Sequence, residues 1–278
     1  MLQTSSPHSI RLKTIEELRM MREAGKLVAT ALQMCRDMAK PGVSTRDIDA
    51  VVEEFYLKHN ATSLFKGYKP AMSSVAYPAV TCISVNEQVV HGIPGNRILR
   101  NGDLLKVDTA CKLNGWCADS AITIPIGNVR AERTRLMTVA YEVLQMAIDE
   151  IPRRRWWVDV AQRMQQHVEG AGFRMVQKYV GHGIGQTMHE APEVPHFVNA
   201  EVIKVNNFRL EPGITLAVEP MVNMGEADVY VLPDNWTVVT KDGMPSAHVE
   251  HTLALTSHGI VVITAPPDDP RGIVPDTL

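Results

Sequence analysis

Lys106-Val107-Asp108-Thr109-Ala110-Cys111-Lys112-Leu113-Asn114-Gly115-Trp116-Cys117-Ala118-Asp119-Ser120 holds two carboxylates eleven residues apart, with Asn114-Gly115 between them. Asn-Gly between apolar runs is a strong hairpin signal, because both residues tolerate the positive φ of a tight two-residue turn. Strands are read over Leu104 to Ala110 and Ala121 to Ile126, and a hairpin about Asn114-Gly115 would let neighbouring strands each turn one carboxylate to the same face of a sheet. Leu105, Val107, Ala110, Ala121 and Ile122 make the surroundings apolar, and unpaired carboxylates there are expensive to bury without cations. Either acid alone could be a solvated residue flanking a turn. Glu219 and Glu250 weaken that alternative. Glu219 closes the apolar run 214–218, and Glu250 precedes the run His251-Thr252-Leu253-Ala254-Leu255.

Upstream of the hairpin the period is helical. Thr14-Ile15-Glu16-Glu17 reads as a capping box, with Thr14 as N-cap and Glu17 reaching back. Leu18, Met21, Ala24, Leu27, Val28, Ala31 and Met34 follow at helical spacing, to about Ala39, where Pro41-Gly42 stops the run. Ser44-Thr45 starts a second helix, and a Gly/Pro/Ser-rich loop covers about 60–74. Val80, Cys82, Ser84, Val89 and Val90 read as strand. Downstream come two helices, about Ala131 to Ile151 and Val158 to Gly170, then a strand-rich region from Met175 to Val262. Arg153-Arg154-Arg155 before Trp156-Trp157 reads as a helix start with a buried aromatic pair. The order helix, helix, strands then repeats, as in two similar halves. The expected organisation is an arm over 1–13, one catalytic α+β domain over 14–264 and a surface tail over 265–278.

Of the 278 residues, 45% are apolar and 21% charged, with a net charge of -3, which is the composition of a globular chain without the basic excess of a nucleic-acid binder. Neither a membrane span nor an apolar signal core is legible. Cys35, Cys82, Cys111 and Cys117 show no C-x-x-C pairing and read as reduced thiols, as expected of a cytoplasmic protein. Gly181-His182-Gly183-Ile184-Gly185 lacks the G-x-G-x-x-G spacing of a nucleotide loop, so its glycines are expected to let backbone crowd around His182. His189-Glu190 opens like a zincin helix, but Glu193 stands at the next ligand position and Pro192 would break the helix. Four carboxylates and an imidazole make a hard donor set that suits divalent first-row ions.

With these segments in view, the chain resembles the type I methionine aminopeptidases, which share a pita-bread fold with prolidases and creatinases. The resemblance covers roughly Ile15 to Thr264. It rests on His91-Gly92-Ile93-Pro94, the Asp108 and Asp119 pair, Gly181 to Gly185 with His189-Glu190, Glu219-Pro220-Met221, and Glu250-His251-Thr252. It implies pseudo-two-fold halves with an antiparallel sheet covered by helices. It implies two divalent ions (cobalt, manganese, iron or zinc). Asp108 would bind one ion, His182 and Glu219 the other, with Asp119 and Glu250 bridging. Glu219 would also shuttle a proton, His189 would steady the substrate carbonyl, and His91 would contact the scissile nitrogen. Tyr77, Cys82, Met188 and Trp236 would line the methionine pocket. Met188 replaces an aromatic residue usual in the family, and Ala71 and Ser74 stand where a cysteine and a tyrosine are common. Segment 115–120 also differs from the family's usual version. The implied substrates are nascent polypeptide N-termini, with a small second residue preferred and the ribosome as a possible partner of a monomeric enzyme. The rival readings are an X-Pro peptidase of the same fold and an inactive pita-bread binding protein.

Overall fold

The computed structural model describes residues 10–70 and 75–278. The Asn114-Gly115 turn forms as read: both residues have positive φ (50° and 88°), and Leu113 pairs with Trp116. The flanking strands, Leu104–Leu113 and Trp116–Pro125, run longer than the apolar runs suggested. Lys112 and Cys117 continue the ladder because backbone pairing does not depend on side-chain polarity.

This hairpin anchors a nine-stranded sheet, and every described strand pair in it is antiparallel. The path runs from Thr62–Ser63 through the hairpin to Glu250–Thr256, Thr215–Val218, Gly181–Gly183 and Glu190–Val194. Thr81–Val85 adds to the first hairpin strand, and Gly259–Val262 to Glu250–Thr256. Val89 and Val90 lie outside any strand; they follow a turn at Asn86, whose φ is 55°.

Both capping boxes form, Thr14 with Glu17 ahead of Ile15–Met38 and Ser44 with Asp47 ahead of Thr45–Lys58. Leu18, Met21, Val28 and Leu32 of the first helix pack with Val107, Cys111 and Ile124, the odd-numbered face of one hairpin strand and the even face of the other. A second pair, Ala131–Glu150 and Trp157–Gly170, packs Leu136, Val143, Trp157 and Met164 against Leu216, Val218 and Leu253. Each helix pair thus covers its own part of one sheet, and the alternation of side chains along the hairpin leaves Lys106, Asp108 and Ala110 on the face away from the first helix.

Two further readings need correction. Trp157 is fully buried, but Trp156 is 41% exposed, because it is the extended N-cap residue and its side chain is not on the helix's inner stripe. The strand-rich second half also contains a short helix, Ala200–Val205, started by Asn199, whose Oδ1 accepts from the Val202 N–H. Among the described residues, no helix is long and apolar enough to cross a membrane.

Candidate metal centre and substrate pocket

Asp108 pairs across the hairpin with Ala121 and Asp119 with Ala110. The acids are therefore diagonal neighbours on one face, within reach of each other. Glu250 stands beside Ala121 on the next strand and reaches the same face. His182 enters from the short strand Gly181–Gly183, on the far side of Thr215–Val218, and pairs with Ala217. Ligand atoms of Asp119, His182 and Glu250 all lie within 4.8 Å of one another. Glu219 Oε1 is 3.6 Å from His182 Nε2.

The glycines around His182 are required by crowding. A Cβ on Gly181 would sit 2.2 Å from the Ala217 carbonyl oxygen, and one on Gly183 2.2 Å from that of Ala191. His182 Nδ1 meets the Gly183 carbonyl at 2.9 Å, and since a carbonyl only accepts, Nδ1 carries the proton and Nε2 presents a lone pair to the acids. Glu190 does a different job. It accepts from Lys13 Nζ at 2.7 Å and from the Gln186 and Thr187 N–H groups, closing the turn that delivers His189.

The charge balance of this floor is one-sided. Burial, then neighbouring acids, pushes the carboxyls of Asp108, Glu219 and Glu250 well above the usual carboxylate range, and burial pushes Asp119 up to about 7. Burial, then His189, lowers His182 to about 3 and His91 to about 4. Asp108 Oδ1, Asp119 Oδ1 and Glu250 Oε1 are buried without a hydrogen-bond partner. Among the described residues, no lysine or arginine lines the cavity above them. Unpartnered buried carboxylate oxygens beside a lone-pair nitrogen fit a divalent cation, which meets their charge and fills their coordination.

The cavity holds about 400 Å³. Tyr77, Cys82, Met188 and Trp236 line one lobe of it, packed together with Phe65 and Ala110. Tyr77 Oη is tied to the Thr81 and Gly92 carbonyls at 3.0 and 2.8 Å. Trp236 is held by Asp234, whose Oδ1 accepts the N–H groups of Trp236 and Thr237. The Trp236 indole nitrogen is itself buried without a partner. His91 takes a left-handed backbone (φ 57°) and meets Tyr179 and Trp236 edge-on.

Phe65 and Tyr68 were missed in the sequence because they fall in a stretch read only as loop. Tyr68 Oη lies 3.2 Å from His189 Nδ1, and its ring is 6.5 Å from Trp236. Two aromatics within four residues of a loop were the available signal. Ala71 and Ser74 lie outside the described residues. Two further histidines back the floor. His196 Nε2 accepts the Glu219 N–H at 3.1 Å, and His248 Nε2 stands 3.8 Å from Glu219 Oε2.

Fold and donor set together are those of a pita-bread metallohydrolase. The model of metallopeptidase family M24 matches residues 19–257, and the chain belongs to that family. Over 252 residues it is 42% identical to methionine aminopeptidase 1 of Bacillus subtilis, covering 91% of this chain and 98% of that one. Over 263 residues it is 35% identical to methionine aminopeptidase of Escherichia coli (K12), covering 94% and 96%. A crystal structure of methionine aminopeptidase from Thermotoga maritima superposes with a TM-score of 0.85 at 38% identity, covering 92% and 99% of the two chains. An Xaa-Pro dipeptidase from Bacillus anthracis shares the fold, with a TM-score of 0.70 at 20% identity and 63% of its own length covered.

Proposed function

We propose that this chain is a metal-dependent methionine aminopeptidase that removes the N-terminal methionine of nascent polypeptides, with residues 14–264 as its catalytic unit. The observation that carries the reading is a floor of unpartnered acid oxygens opening into an apolar, sulfur-tolerant lobe. A thioether packs well against aromatic edges and other sulfur groups, so Tyr77, Trp236, Cys82 and Met188 suit a methionine side chain. The 35–42% identity to methionine aminopeptidases over nearly the full length supports the same reaction.

Asp108, Asp119, His182, Glu219 and Glu250 would hold two divalent ions, of cobalt, manganese, iron or zinc. When bound, such ions polarise a carbonyl and acidify water at neutral pH. Glu219 is the proton carrier: its carboxyl faces the floor, and its backbone is fixed by His196. Tyr68 Oη lies 3.2 Å from His189 Nδ1; with the hydroxyl as donor, the His189 proton would sit on Nε2, where it would donate to the scissile carbonyl oxygen. His91, held neutral by burial, accepts or donates at the scissile nitrogen. A small second residue is proposed to fit beside His91 and Tyr179, which meet edge-on in the cavity lining. The enzyme is proposed to act as a cytoplasmic monomer, near the ribosome.

Purified protein assayed on Met-Ala-Ser and on an X-Pro dipeptide, with and without chelator, tests this. Chelator-sensitive release of methionine is expected. Cleavage of X-Pro alone would identify a dipeptidase, chelator-resistant turnover would refute the metal chemistry, and no turnover after metal reconstitution would identify an inactive relative.

A further inference from the structure

Lys106 lies on the same strand face as Asp108, two residues before it, with only 1% of its surface exposed. Its Nζ donates to the Asn86 carbonyl at 2.7 Å. That carbonyl already accepts the Ser246 N–H at 3.0 Å, so the lysine nitrogen is not needed merely to satisfy it. Burying a polar amine is costly, and an apolar side chain of similar length would fill the same volume without that penalty.

The position of the contact accounts for the lysine. Asn86 holds a left-handed backbone, and its side chain binds the Leu104 N–H, Arg133 and Asp103. From there Glu87 and Val89 to Val90 are laced to Val238–Thr240 by the Thr240 to Glu87, Val89 to Val238 and Val238 to Val90 bonds, and the next residue is His91. Ser246 opens the strand Ser246–His248, which leads directly to Glu250. One carbonyl therefore joins the segments that present Asp108, His91 and Glu250.

We propose that Lys106 is a positioning residue which, through the Asn86 carbonyl, fixes His91 relative to the acid floor. The proposal rests on the reading of His91 as a substrate-contacting group, but its first test needs no turnover. Histidine-ring NMR spectra of Lys106→Met should show the His91 signals displaced, with folding intact by far-UV circular dichroism; unmoved His91 signals would overturn the proposal. A kinetic cycle then separates positioning from general structure. Lys106→Met should lower kcat on Met-Ala-Ser by ~10-fold or more with KM little changed, since small misplacements of reacting groups act on kcat. In a His91→Ala background the same change should cost less than ~2-fold, because coupled residues are not additive. A full multiplicative loss in the double variant would sink the idea. Lys106→Gln, which keeps a shorter N–H donor, should recover part of kcat, and it carries the cycle if Lys106→Met does not fold. Absence of methionine release by the wild type would count against the proposed reaction, while the spectra would still decide the positioning.

Discussion

Tyr68 Oη and His189 Nδ1 stand 3.2 Å apart, so a residue from the loop before Tyr77 hydrogen-bonds an imidazole delivered more than a hundred positions later. Tyr68→Phe removes only the hydroxyl. One lost hydrogen bond is worth about 1 kcal/mol, so kcat should fall about 5-fold with KM nearly unchanged. Unaltered kcat across pH 6 to 9 would show that His189 is oriented by something else.

Asp119→Ala and Glu250→Ala each delete a ligand atom set from the centre of the cluster. Turnover should drop below about 1% of wild type, since the cations' charge stabilisation is worth several kcal/mol. Metal content measured by mass spectrometry should fall in parallel. Near-normal rates in either variant would contradict the shared-ligand assignment.

The metal-free protein should lose stability as pH rises above about 6.5. The buried carboxyls have folded values raised above their ordinary ones, Asp119 to about 7, so the stability they contribute is present at low pH and lost as pH rises through those values. The lowered histidines act oppositely, losing stability below their ordinary value near 6.5, and so do not contribute above it. Manganese at a hundredfold excess over its Kd should add about 2.7 kcal/mol. That should raise Tm by roughly 5–10 °C, and should flatten the alkaline decline. Parallel Tm–pH curves with and without metal would contradict this.

Gly183→Ala should destabilise the fold by about 2 kcal/mol or more, because its methyl group would overlap the Ala191 carbonyl, which cannot retreat cheaply. Urea unfolding at fixed metal concentration measures it. A loss under about 0.5 kcal/mol, the ordinary surface range, would mean that the strand pair around His182 is looser than its geometry indicates.

Much of the scaffold is legible because its causes are local. The Thr14–Glu17 capping box, the Asn114-Gly115 turn and the helix periodicity depend on residues a few positions apart, and strand alternation about that turn fixes which side each carboxylate takes. The apolar lobe was half legible: the family resemblance pointed to Tyr77, Cys82, Met188 and Trp236, which line it, but Phe65 and Tyr68 come from a segment with no period to mark them. Trp156 and Trp157 are identical in kind, and only the helix start separates the buried one from the exposed one.

The linear order by itself determined the hairpin, the principal helices and the set of acids and histidines with a chemistry in common. The folded chain alone decided that His182 turns its Nε2 toward the acids, that His196 holds Glu219, and that Lys106 bonds to Asn86. These depend on contacts between segments far apart in the chain. Such contacts are set by sheet order and crowding, which no short window of residues encodes.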